Sequence, residues 1–348
     1  MKKVLTKHAT LLFLGLLVCV MIMEGLLKSH TNGSLLLTLV FWITITEGCV
    51  ALVATVEVAN GKWILPLKKQ LLSVYPMILI IAFMFLFLTP QLGIYPWAEH
   101  PGFWMNKRFF IARNFILLLL TFFMARKFAL ESMNQGKNKI LYAVLYLLVF
   151  VMSQSVVAFE WVMSLEYPYI NTLFGGYFFV EALYAGLAIA GVHCFLMYKG
   201  LQEYEPVAYK STLKDTATMI FGFSLFWVGL MYTQYLVTWY GNIPEEVLFI
   251  YKRLTHSPLR EFSFLMFIML FPLTFFTLFF GKAKTNPRVV FFVSLVVILG
   301  LFLERIIFLV PVTSMSPLLI TIEFLCLCFI FFMFVQSRDE FMPDVAPQ

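Results

Sequence analysis

Charge is scarce in this chain. Asp, Glu, Lys and Arg together make 13% of its 348 residues and hydrophobic residues 61%, where soluble domains average ~25% and ~45–50%. A surface that poor in charge excludes an ordinary soluble globular protein. No Gly-rich phosphate loop is present, and no stretch between the apolar runs is long enough to fold a nucleotide-binding or water-facing catalytic domain. The five cysteines, Cys19, Cys49, Cys194, Cys326 and Cys328, all fall inside apolar runs and form neither a C-x-x-C nor a C-x-x-C-H arrangement, which excludes a thiol redox motif and attached haem c. Of the five histidines only His193 lies well within an apolar run. A membrane haem b needs an axial pair drawn from facing helices, so no haem, cluster or metal is expected to be bound by this chain.

Long apolar runs are what the sequence does have. Helices that cross a ~30 Å hydrocarbon core need roughly 17–25 such residues each. Runs of that kind lie at 9–27, 35–59, 71–89, 109–126, 139–159, 172–198, 216–240, 260–280, 289–311 and 317–336. The expected fold is therefore all-α, a polytopic integral membrane protein of about ten helices forming a single transmembrane domain over 1–348. Lys2 and Lys3 before LLFLGLLVCVMIM give the first run some signal-peptide character, but no A-x-A-like site follows and Glu24 interrupts its end, so it is read as a helix.

Cytoplasmic loops collect Lys and Arg. An N-terminus in the cytoplasm places 17 of these residues on that side and 6 on the other, and leaves the C-terminus cytoplasmic too. The net charge of +6 then reflects orientation signals beside anionic lipid, with no nucleic acid partner required. Reporter fusions after residues 64, 132, 206 and 284 are expected to report cytoplasm, and fusions near 97, 167 and 250 the opposite side. A consistent reversal would overturn this orientation. The outer connections would be TPQLGIYPWAEHPGFWMNKR at 89–108, EWVMSLEYPYINTLFG at 160–175 and YGNIPEEVLFIYKRLTHSP at 240–258, all rich in aromatics and Pro. Elaboration of one face suggests a partner or site there, although Trp and Tyr also form interfacial belts.

Glutamates interrupt the runs at Glu24, Glu47, Glu57, Glu181, Glu304 and Glu323. A charge at the bilayer centre costs at least ~2.5 kcal/mol, so such residues face a bundle interior, a polar cavity or a proton path. Glu47 lies near the middle of its run, with Thr44 on the same helical face, and Glu181 about a third of the way into its own; these are the best proton-relay candidates. Glu24 and Glu57 lie near run ends, within reach of headgroups, and Glu304 and Glu323 near outer ends. The alternative reading of each is a protonated, hydrogen-bonded packing residue. Arg113, one turn inside its run, either snorkels outward or pairs with an outer carboxylate such as Glu160, beside Trp161.

In the seventh run Gln234 and Thr238 share a helical face, as do Tyr235 and Trp239, with Tyr240 following. This surface can grip a quinone ring or form an interfacial belt. Asn242 is expected to cap a short outer helix, with Pro244 in its first turn and Glu245 and Glu246 complementing its dipole. VLFIYKRL is apolar enough to lie along the membrane surface.

FWVGLMYTQYLVTWYGNIPEE at 226–246, EWVMSLEYPYINTLFGGYFF at 160–179, FFIAR at 109–113 and ERIIFLVP at 304–311 together resemble the second quinone-binding-type membrane subunit of alternative complex III, in the polysulfide-reductase NrfD-like superfamily. The resemblance runs in order over most of the chain; where the family usually has Asp, this chain has Glu160. It implies ten helices around two four-helix bundles plus peripheral helices, in a bacterial cytoplasmic membrane. The implied partners are a paralogous NrfD-like subunit, an Fe-S protein and c-type cytochrome subunits on the outer face. Haem c and Fe-S clusters would be carried by those partners, with menaquinone or another quinone as the cofactor. Proton conduction is an expectation from the buried glutamates themselves. The chain itself would be a subunit without redox centres in a quinol:cytochrome c oxidoreductase. A proton-coupled secondary transporter using Glu47 and Glu181 is the competing reading, and a membrane-embedded hydrolase or transferase ranks third, because no His/Glu metal motif or Ser–His constellation is apparent.

Overall fold

The computed structural model describes residues 12–22, 33–198 and 206–336. Among these, nine helices are long and apolar enough to cross a membrane, and a shorter apolar helix, α1, covers Leu12–Ile22. The remainder of the first expected span, Glu24 included, lies outside the described residues. In chain order the helices are α2 (Ser34–Val58), α3 (Leu65–Leu72), α4 (Pro76–Leu86), α5 (Lys107–Met133), α6 (Lys139–Val156), α7 (Phe174–Leu196), α8 (Pro206–Gly241), α9 (Pro244–Thr255), α10 (Leu259–Ile268), α11 (Thr274–Phe279), α12 (Pro287–Leu309) and α13 (Pro317–Gln336). Prolines open α4, α9, α12 and α13, where the missing N–H would have had no partner anyway. Asn106 and Asn286 cap α5 and α12 by accepting from Phe109 N and Arg288 N, each at 3.0 Å.

Several helices outrun the apolar stretches that announce them. The span expected from 71 begins at Leu65, because Lys68 is buried in it and not exposed at its edge, and the chain turns at Ser73–Tyr75 before Pro76. α6 continues through a π-helical segment, Val157–Val162, and a 3-10 turn, Met163–Glu166, so Glu160 belongs to the helix and not to a connection. A second π segment, Met269–Leu273, contains Pro272 and joins α10 to α11.

α2 is buried along almost its whole length, and the other helices assemble around it. It closes a ring with α4, α5 and α6, while α7, α8, α10–α11 and α12 close a second. The two rings meet where α2 crosses α7. At that crossing a Cβ on Gly48 would stand 1.8 Å from the carbonyl oxygen of Ala182, and one on Gly186 would stand 2.4 Å from that of Gly48. Only glycine lets the backbones approach so closely, as small residues do in membrane helix pairs generally. One end of the protein, the elaborated end, carries residues 87–106, 167–173, 242–258 and 310–316. It is tied together by bonds such as Tyr95 Oη to Trp161 O at 3.0 Å and Gly33 N to Ser314 O at 2.7 Å.

Candidate functional site

The glutamates read from the sequence gather into separate buried centres at different levels of the two rings. Glu47 lies in the first ring, immediately before the Gly48 crossing, and is 0% exposed. Its Oε1 accepts from Ser153 Oγ at 2.7 Å and its Oε2 from Gln154 Nε2 at 2.8 Å, both on α6, while Tyr146 Oη donates to its backbone carbonyl at 3.0 Å. Thr44 takes no part: its hydroxyl turns back onto Val40 O at 2.7 Å, the usual alternative for a threonine inside a helix. The amide oxygen of Gln154 is buried without a hydrogen-bond partner among the described residues. Rotating that amide would offer the oxygen to a protonated Glu47, so the site can satisfy the carboxyl in both states.

Glu57 lies ten residues further along α2, roughly 15 Å away by helix rise. Contrary to the expectation that it reaches headgroups, it is paired with buried Lys68 and accepts from Ser132 Oγ at 2.7 Å. Toward the elaborated end, Glu160 accepts from Asn114 Nδ2 at 2.8 Å and Trp104 Nε1 at 3.2 Å and pairs with Arg113 at 2.7 Å. Asn114 in turn accepts from Trp161 Nε1 at 2.7 Å. Arg113 therefore pairs and does not snorkel, with its guanidinium 4.2 Å above the Trp104 ring. The first ring thus holds carboxylates at three levels.

The second ring holds one dense cluster. Arg305 Nη2 meets Glu181 Oε2 at 2.6 Å with both side chains at most 1% exposed. Trp227 Nε1 donates to Glu181 Oε1 at 3.2 Å, and Tyr177 donates to Glu304 Oε1. Arg305 lies over the Phe178 ring at 4.0 Å, and its Nη1 has no hydrogen-bond partner among the described residues. The cluster holds two carboxyls and one guanidinium, and the ion pair joins Arg305 to Glu181. Glu323 stands apart on α13, accepting from Thr38 Oγ1 at 2.6 Å.

The segment EWVMSLEYPYINTLFG turns most of its polar groups inward. Glu166 pairs with Arg253 and, at 3.1 Å, with Lys252. Arg253 also donates to Ile307 O at 3.1 Å and Phe308 O at 2.9 Å, which satisfies carbonyls in the last turn of α12. The Tyr169 ring stacks on Phe249 at 3.9 Å, and burial pushes its hydroxyl up to about 12. The segment is therefore a latch between the rings, and its exposed large hydrophobic side chains are Tyr167 and Ile170, at 72% and 58%.

The seventh-run surface divides. Gln234 accepts from Asn171 Nδ2 at 3.1 Å and, with Tyr235, lines a cavity of ≈ 120 Å³ whose wall includes Tyr177 and Glu304. Tyr235, Thr238, Trp239 and Asn242 line a neighbouring one of ≈ 260 Å³. Trp239 and Tyr240 are 63% and 80% exposed and fit the belt reading. Asn242 does not cap α9. It has a φ of 47° and terminates α8, while Ile243 occupies the N-cap position of α9, followed by Pro244, Glu245 and Glu246 as expected. No protein-family model matches this chain, and no curated protein matches it. Arg305 is the largest omission of the sequence reading, although a cation beside Glu304 within an apolar run is as telling as the carboxylate itself. Ser153, Gln154, Asn114 and Tyr177 are ordinary side chains in apolar runs and gave no such signal.

Proposed function

We propose that this chain is an integral subunit of a quinol-oxidising respiratory complex of the alternative complex III kind, in a bacterial cytoplasmic membrane with both termini in the cytoplasm. In this reading it carries no redox centre. Its buried carboxylates conduct protons, and its elaborated end, facing outward, supports a paralogous membrane subunit, an Fe-S protein and c-type cytochromes. The observation that carries the proton-conducting part is the Glu47 site, a carboxyl buried deep in the helix assembly beside an amide that can serve it protonated or ionised. Carboxylates on either side, Glu57 and Glu160, extend the path toward the two ends. The gaps of roughly 10–15 Å exceed one hydrogen bond, so transfer between levels needs water or side-chain movement.

A proton-coupled secondary transporter is supported by one feature: two similar four-helix rings, each with a buried glutamate on its first helix beside their mutual crossing. Against it, the interrupted segments at 157–162 and 269–273 occupy the fourth helix of one ring and the third of the other, where paired gates would occupy equivalent helices. Purification from native membranes separates the readings. The respiratory reading expects co-purifying Fe-S and c-type cytochrome subunits, quinol-dependent cytochrome reduction, and no Soret band from this chain alone. A chain that purifies by itself and exchanges a solute for protons in vesicles would favour the transporter.

A further inference from the structure

A cavity of ≈ 370 Å³ opens at the elaborated end, between Trp104 and Met105, the π-helical continuation of α6, and Tyr167, Tyr169 and Ile170. Its walls are almost wholly apolar and aromatic. Glu160 and Ser164 also line it, but their polar atoms are committed to neighbours: Glu160 to Arg113, Asn114 and Trp104, and the Ser164 hydroxyl to Glu160 O and Trp97. Apolar cavities of ~150 Å³ stay dry, and this one lies in the ~300–1,000 Å³ range of ligand pockets. It therefore calls for an apolar occupant.

The flanking helices show where that occupant comes from. Val156 in the lining continues a helical stripe of α6 through Met152 and Leu148, both exposed, and Arg113 continues one of α5 through exposed Ile116 and Leu120. The two helices pack against each other, and both belong to segments long and apolar enough to cross a membrane. A hydrocarbon chain lying along these stripes reaches the cavity without leaving apolar contact.

Charge decides the head of that chain. Of the cations at this end, Arg113 pairs with Glu160, Lys252 and Arg253 with Glu166, and Arg260 with Glu261. Lys107 and Arg108, which closely follow the lining residues Trp104 and Met105, are exposed and form no ion pair with a described residue. They open α5, whose first turn holds no acidic residue, although the start of a helix disfavours cations. From the cavity, the apolar stripes and these uncompensated cations we infer that the elaborated end binds an anionic phospholipid, with its phosphate at Lys107 and Arg108 and one acyl chain in the cavity beneath Trp104. The lipid fills the space that the connections at 104–105 and 167–170 leave between them. This inference is independent of the respiratory reading, since it needs neither partner subunits nor redox chemistry.

The test uses the purified full chain in detergent, titrated with phosphatidylglycerol or phosphatidylcholine of identical acyl chains, and counts retained lipid by native mass spectrometry. One phosphatidylglycerol per chain should be held at least ~10-fold more tightly than phosphatidylcholine, the order that two basic residues at a membrane surface supply. Lys107→Gln combined with Arg108→Gln should abolish this preference and, because both side chains are exposed and outside any ion pair, leave thermal stability in lipid-free detergent unchanged. Ile170→Trp, which narrows the cavity from its exposed wall, should weaken both lipids. Lys210→Gln combined with Lys214→Gln removes exposed cations near the opposite end of α8 and should leave the tight lipid in place. Equal affinity for the two lipids, a preference that survives loss of Lys107 and Arg108, or one that vanishes with Lys210 and Lys214 would overturn the inference.

Discussion

Arg305→Met is expected to destabilise the protein by about 3–5 kcal/mol, enough to remove most folded chain from the membrane, because it strands the buried Glu181 carboxylate without its cation. The partners are 2.6 Å apart and essentially inaccessible, so neither water nor headgroups can compensate. Glu181→Gln alone leaves the guanidinium uncompensated and should cost a similar amount. The double variant Arg305→Met with Glu181→Gln removes both charges at nearly constant volume and should recover most of the loss, as buried pairs replaced by neutral groups often do. Thermal unfolding in detergent across this cycle checks it. Additive losses in the double variant would show that the two residues act independently.

Gly48→Val is expected to abolish accumulation of folded protein, and Gly48→Ala to reduce it severely. The added Cβ would lie 1.8 Å from the Ala182 carbonyl oxygen, far inside van der Waals contact, and a backbone oxygen cannot swing aside as a side chain can. Relief requires α2 and α7 to separate at the contact that joins the rings, loosening the packing around Glu47 and Glu181 together. Gly222→Ala on α8 is the control. Nothing lies within 4 Å of its added Cβ, so it should be neutral or gain up to ~1 kcal/mol from helix propensity. Folded yield by size-exclusion chromatography distinguishes these cases, and a normal yield of Gly48→Val would contradict the close crossing.

The membrane-spanning helical character was legible because hydropathy alone reports it, and the runs from 35 onward correspond to helices in order. Helix ends were less legible. Lys68 and Glu160 look like the edges of runs, yet each is a buried member of an ion pair, and hydropathy scores a paired charge as if it were solvated. The same effect misplaced Glu57, whose partner Lys68 comes from a later helix. Glu47 and Glu181 were recognisable as unusual, but their partners Ser153, Gln154, Trp227 and Arg305 are 46 to 124 positions away in sequence. A single sequence carries no record of such pairings. The polar residues of 160–175 were read as outer surface for the same reason: their number was visible, their direction was not.

The proposal that protons pass through the buried carboxylates is tested most directly at Glu47. Glu47→Gln keeps the side chain's size and can still bond to Ser153 and to a rotated Gln154 amide, so assembly should be normal, but it cannot release a proton. In the natively purified complex, quinol oxidation should slow at least ~10-fold or proton release accompanying it should fail, with Glu47→Asp less affected. If the Gln variant assembles, oxidises quinol at the full rate and releases protons with unchanged stoichiometry, Glu47 is a packing residue and the proton path does not run through it.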